Sequence, residues 1–139
     1  MTIWLLDTNA ASDFFSGRSL AARKAWFEAR RAGDTVAISV ITEAELLFGF
    51  RQRAAADRFR AAYDEFSSKV TVLSYDSQAA VSYALLRTHL KEEGLMMAPL
   101  DLLIAAHSHA VGGTLVTRDK AFRHISGLVR VVNWATDLD

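Results

Sequence analysis

The feature that most constrains this chain is a periodicity that keeps changing, from short apolar runs of strand length to longer segments with apolar residues at helical spacing. Residues 3–6 form the first short run. From about Thr8 to Arg31 the pattern is helical, with Phe14, Phe15, Leu20, Trp26 and Phe27 set among arginines and a break near Gly17; Gly33 and Asp34 then mark a turn. Residues 36–39 read as a second buried strand, followed at once by a helix that Ser39 or Thr42 can cap. Gly49 is a point where that helix ends or is interrupted, and residues 51–66 continue at helical spacing through Phe59, Ala62, Tyr63 and Phe66. A third strand is expected over 70–75, then a helix capped by Asp76 or Ser77 and stopped by Gly94. Pro99 opens an almost wholly apolar helix that should be central and buried. After the Gly112-Gly113 turn, residues 114–117 and 129–134 supply the fourth and fifth strands.

Strands separated by helices imply parallel pairing through right-handed crossovers. The expected fold is therefore a three-layer α/β/α sandwich around a mostly parallel five-stranded sheet, formed by one domain over residues 1–139. A chain of 139 residues with 51% hydrophobic content and a single proline suits one compact core. No apolar run approaches the roughly 20 residues that span a bilayer. The N-terminus lacks the basic flank and cleavage site of a signal peptide, so a soluble, cytoplasmic protein is expected. Zero cysteine excludes disulfides, thiolate zinc sites and cysteine nucleophiles.

Charge excludes one simple class of partner surface. Sixteen basic and sixteen acidic residues cancel, which argues against a large basic footprint of the kind that holds nucleic acid nonspecifically. The local clusters Arg18, Arg23, Lys24, Arg30 and Arg31, and Arg51, Arg53, Arg58 and Arg60, read as solvated helix faces.

In open parallel sheets ligands collect at the carboxyl ends of the strands. Asp7 and Asp119 fall just beyond predicted strands, and Asp101 falls in the first turn of a helix near that edge. Glu45 lies about one and a half turns into its helix, so that helix must lean across the edge for Glu45 to join them. Each has an ordinary explanation alone, since Asp7 and Asp119 suit caps or turns and Asp101 suits a helix dipole. Glu43 competes with Glu45, but two residues apart on a helix they point about 200° apart and only one can face a shared site.

The segments LLDTN (5–9), ISVITEAELLFG (38–49), APLDLLIAAHSHA (98–110) and GTLVTRDKAF (113–122), with GLVRVVNW (127–134), together resemble a PIN domain, specifically the VapC-type toxins of type II toxin–antitoxin modules. The resemblance implies a metal-dependent endoribonuclease held inactive by a cognate antitoxin, with a homodimer and larger complexes with that antitoxin. It places Asp7, Glu45, Asp101 and Asp119 on the family's acidic positions and chooses Glu45 over Glu43. Mg²⁺ or Mn²⁺ suits such a site, because hard cations prefer oxygen ligands and keep several waters. Asp7 and Asp101 are expected as the closest ligands, with Glu45 and Asp119 acting through water or a second ion. Asn9, Ser39 and Thr117 are expected to orient them by hydrogen bonds, Thr117 resembling the family's small hydroxyl position beside the last acid.

The histidines add no rival metal site, because His89, His107, His109 and His124 share no ligand spacing. Apolar residues near Phe48, Phe50 and Leu95 are candidates for subunit contacts, and Met96 and Met97 for either partner contact or core. Two other classes stay open. A receiver-type signalling module needs an aspartate closing its central strand and a lysine beyond the last strand, whereas residues 36–39 end in serine. A catalytically silent interaction protein of the PIN fold is the third reading, and the full acidic set argues against it.

Overall fold

The computed structural model describes residues 1–52 and 56–138. The expected helical stretch through 53–55, and Arg53 of the second basic cluster, lie outside the described residues. In order, the elements are β1 (Ile3–Leu6), α1 (Thr8–Phe15), α2 (Leu20–Arg31), β2 (Thr35–Ser39), α3 (Val40–Arg51), α4 (Ala56–Ser67), β3 (Thr71–Leu73), α5 (Ser77–Glu92), α6 (Pro99–Ala110), β4 (Thr114–Val116) and β5 (Arg130–Val132). Two short 3-10 segments, Lys120–Ile125 and Thr136–Leu138, close the chain, and the periodicity predicts neither.

All strand pairings are parallel, in the order β3-β2-β1-β4-β5. The chain steps outward from β1 to β2 and β3, then returns to the far side of β1 to lay down β4 and β5. That reversal opens a crevice at the carboxyl ends of β1 and β4, where open α/β sheets bind ligands. The register fixes what lines it: Leu6 stands opposite both Ile38 and Val116, so Asp7, Ser39 and Thr117 follow as one row at the edge. The central strand is β1 and not residues 36–39, and it is closed by Asp7. The serine that weighs against a receiver module therefore stands on the wrong strand, although no lysine follows β5.

Alternation along each strand divides two cores. Leu6, Val36, Ile38 and Val116 face one cluster with Phe14, Phe15, Trp26, Leu46, Phe50, Tyr63 and Phe66 from α1 to α4. Leu5, Ala37 and Leu115 face the other, with Leu86, Leu90, Leu102, Ile104, Phe122 and Ile125. Each face of the sheet is thus covered by helices, giving three layers. At the α6–β4 turn, Gly112 has φ +64°, and a Cβ on Gly113 would stand 2.9 Å from the carbonyl oxygen of Ile3. Glycine at 113 lets β4 close up against β1.

Several expectations change for packing reasons. Gly49 does not end α3, which runs on to Arg51 with Leu46 and Phe50 buried on either side. A helical glycine costs only about 1 kcal/mol relative to alanine, which buried neighbours outweigh. Phe50 belongs to the core and is not available for subunit contact, while Phe48 is 65% exposed. Leu95 and Met97 pack against the second core, whereas Met96 is 88% exposed.

Candidate active site

Asp7 is the hub of the crevice. It leaves β1 in extended conformation and caps α1, its Oδ1 accepting the Ala10 N–H at 2.8 Å. Its other oxygen accepts the Thr117 hydroxyl at 2.5 Å, and Thr117 in turn accepts the Asp119 backbone N–H at 3.0 Å. The capping role and the site role are therefore compatible, since each uses a different oxygen. Burial raises the Asp7 pKa from 3.8 to about 6. The two hydrogen bonds oppose that rise, and the charges of Asp101 and Asp119 add to it.

Asp101 sits in the first turn of α6, just after Pro99 at the helix start. Its pKa is also raised, by burial first and then by Asp119 and Glu45. Glu45 reaches the edge as the geometry required, and Thr8, next to Asp7, donates its hydroxyl to Glu45 Oε1 at 2.5 Å. Asp119 is exposed and caps the Lys120–Ile125 segment through Ala121 N–H at 2.9 Å. Asp7 thus feels the charges of Asp101 and Asp119, and Asp101 feels those of Asp119 and Glu45. Among the described residues no group of three or more Asp, Glu or His side chains stands close enough together to hold a metal ion.

The three expected orienting residues separate. Thr117 binds Asp7 directly. Ser39 instead caps α3 through Ile41 N–H at 3.1 Å and meets His107 Nδ1 at 2.7 Å. His107 is 2% exposed, stands edge-on to Tyr75, and is held toward its neutral form by burial. Asn9 is exposed and lines a cavity of about 110 Å³ beside Thr8 and Glu45. Glu43 is part-buried and accepts the Tyr63 hydroxyl at 3.4 Å, on the side of α3 away from Glu45. Burial and then that carboxylate push the Tyr63 pKa up to about 12.

A fifth acid supports the loop that carries Asp119. Asp13 is fully buried in α1, where its carboxylate meets Arg118 Nε at 2.6 Å and Arg18 Nη2 at 2.8 Å. Arg118 stands between Thr117 and Asp119, so this ion pair fastens the β4 end to α1.

The PIN domain family matches residues 4–128 of this sequence. The chain belongs to the PIN domain family. Ribonuclease VapC2 of Rickettsia felis is 30% identical to this PIN domain, across 95% of this chain and 98% of that protein. The tRNA(fMet)-specific endonuclease VapC of Salmonella typhimurium is 36% identical across 70% of this chain and 74% of its own. The solved structure of VapBC2 from Rickettsia felis, bound to a DNA fragment from their promoter, superposes with a TM-score of 0.88 at 29% identity, covering 96% of this chain and 99% of that one.

The donors of this PIN domain's crevice suit a hard divalent cation. All are oxygens, from four carboxylates and the Thr8 and Thr117 hydroxyls, while His107 and His109 are turned to Ser39 and Ser82. Burial first, and then the neighbouring acids, raise the carboxyls of Asp7 and Asp101, and a bound cation would favour their ionised forms.

Thr8, Asp13 and Arg118 are site residues that periodicity and motif do not single out. A charged residue directly before two phenylalanines on a helix was the available signal for Asp13, since such a position is normally apolar. Arg18, read as part of a solvated face, is one of its two partners. Thr8 carried no comparable signal.

Proposed function

We propose that this PIN domain, folding as one domain in the cytoplasm, is a metal-dependent endoribonuclease and the toxin of a toxin–antitoxin pair. The observation that carries the reading is the placement of two carboxyls, the buried Asp7 and the part-buried Asp101, at the β1–β4 crevice. Each is raised by burial and then by the charges of neighbouring acids, Asp101 and Asp119 on the first and Asp119 and Glu45 on the second. Asp7 and Asp101 would hold Mg²⁺ or Mn²⁺ most closely, with Glu45 and Asp119 acting at longer range. When bound, the cation supplies an activated water and relieves charge on the leaving oxygen of the phosphodiester. Thr117 and the Ala10 N–H keep Asp7 aimed into the crevice and favour its ionised form. Thr8 holds Glu45 against the same edge, and the Asp13–Arg118 pair steadies the turn bearing Asp119. The names of the relatives support RNA as substrate and a VapB-type antitoxin as partner. A homodimer is the unit on which larger complexes with the antitoxin would be built.

Purified protein freed of antitoxin should cleave RNA with Mg²⁺ or Mn²⁺ and stop in EDTA. Cleavage that persists without metal would refute the reading. Expression should arrest growth, and coexpression of the cognate antitoxin should restore it.

A further inference from the structure

We propose that the groove between α5 and the loop leading to α6 is the track for single-stranded RNA flanking the cleaved phosphate, an inference that rests on the ribonuclease reading above. α5 buries Ala79, Ser82, Leu86 and Leu90 against the sheet side. Beside that buried stripe, Tyr83, Arg87 and Lys91 recur every four residues and so form one row along the helix. The row makes one wall of a groove of about 700 Å³ that Met96, Met97 and Leu102 also line. Pro99 and Leu102 close its end, and Asp101 lies between them in the same helical turn. The groove therefore ends in the helical turn that carries Asp101, beside the acidic crevice and not inside it.

Its chemistry fits a polyanion with exposed bases. Arg87 lies 5.9 Å from the Tyr83 ring centre and donates to the Tyr83 hydroxyl at 3.0 Å, which props both side chains at the groove wall. Neither Arg87 nor Lys91 forms an ion pair with an acid among the described residues. Glu92 and Glu93 follow Lys91 but project about 100° and 200° around the helix, away from the groove lining. In a chain of zero net charge, two adjacent cations without acidic partners are a local choice. Phosphates would lie along Arg87 and Lys91, and bases would rest on Tyr83 and on the thioether of Met96, which is 88% exposed. An apolar protein helix seated there would desolvate two cations without returning a countercharge.

The test uses the full chain with Arg87→Ala and Lys91→Ala combined. Both side chains are exposed, so circular dichroism should be unchanged. On a long RNA that the wild type cleaves, KM should rise about tenfold near 0.1 M salt with kcat unaltered. The slope of log affinity against log salt should fall by about 1.4, because each single-strand phosphate left without its cation removes about 0.7. A short RNA trimmed to the cleaved site should be cut as by the wild type. Binding of fluorescein-labelled oligouridylate to Asp101→Asn protein, with and without the two substitutions, reads the groove independently of cleavage. Unchanged affinity and salt slope there would overturn the track even if the protein cleaves RNA. A substitution that alters only the sedimentation of the protein would likewise overturn it and assign the groove to a second copy. Absence of cleavage by the wild type, with weakened oligouridylate binding on substitution, would instead sink the nuclease reading and leave the track standing.

Discussion

Thr117 donates its hydroxyl to Asp7 across the β1–β4 crevice at 2.5 Å while accepting the backbone N–H of Asp119 at 3.0 Å. One side chain thereby sets the orientation of one acid and the start of the turn that carries another. A buried carboxylate, only 4% exposed, is kept from still stronger protonation by this donor and by the Ala10 N–H.

Removing the donor should therefore shift the acid and not only weaken the fold. Thr117→Val is expected to raise the Asp7 pKa further and cut cleavage at neutral pH by roughly 10- to 100-fold, the usual cost of losing a partner that orients a metal ligand. Thr117→Ser, which keeps the hydroxyl, should recover most of the rate. A pH–rate profile whose acid limb is unmoved in Thr117→Val would contradict the role.

Asp7 also predicts how stability changes with pH in metal-free protein. Its pKa is about 6 folded against 3.8 as the ordinary value, so between these the folded state binds more protons than the unfolded chain. Its contribution is fully present below pH 3.8 and is lost as pH rises through about 6, a decline worth about 3 kcal/mol. The difference between urea unfolding of the wild type and of Asp7→Asn, across that window, isolates it. Saturating Mg²⁺ should flatten the decline, because the cation favours the ionised carboxylate.

Asp13 should be costly to neutralise although it is no part of the acidic set. Asp13→Asn removes the buried charge that meets Arg118 at 2.6 Å and Arg18 at 2.8 Å, and destabilisation of about 1.5–3 kcal/mol is expected, because both arginines keep access to water. Thermal unfolding checks it. A change below about 1 kcal/mol, the size of an exposed pair, would show that the ion pair carries little.

Glu45 and Glu43 should separate cleanly. Glu45→Gln is expected to depress cleavage, whereas Glu43→Gln should leave cleavage intact and lower the Tyr63 pKa from about 12, since Glu43 is among the groups holding it up. Spectrophotometric titration of tyrosine reads the second effect. Equal losses of cleavage in both variants would mean that the acids had been assigned to the wrong side of α3.

What was legible in the sequence was whatever one segment carries by itself. Ile3–Leu6 and Thr114–Val116 announce strands by composition, and Asp7 and Asp101 announce themselves by standing at the ends of elements. Strand order was not legible: β1 is central because of pairing between distant segments, and the serine at the end of residues 36–39 misled for that reason. Ser39 and Thr42 are equally able to cap a helix, and only packing chooses Ser39. Thr42 is fully buried instead, its hydroxyl without a hydrogen-bond partner among the described residues. Thr8 and Glu45 are 37 residues apart, and Asp13 and Arg118 are 105 apart, so neither contact has a local signature. Phe50 looks like a surface aromatic next to Phe48 in the sequence, and α3 turns it inward.

The central claim is that four carboxylates form one divalent-metal site. Calorimetric titration of metal-free protein with Mn²⁺ tests it most directly, comparing the wild type with Asp7→Asn and Asp101→Asn. The account predicts saturable binding by the wild type and its loss, or at least a roughly tenfold weakening, in each variant while the fold is retained. Binding of equal strength in either folded variant, or none in the wild type, would contradict it.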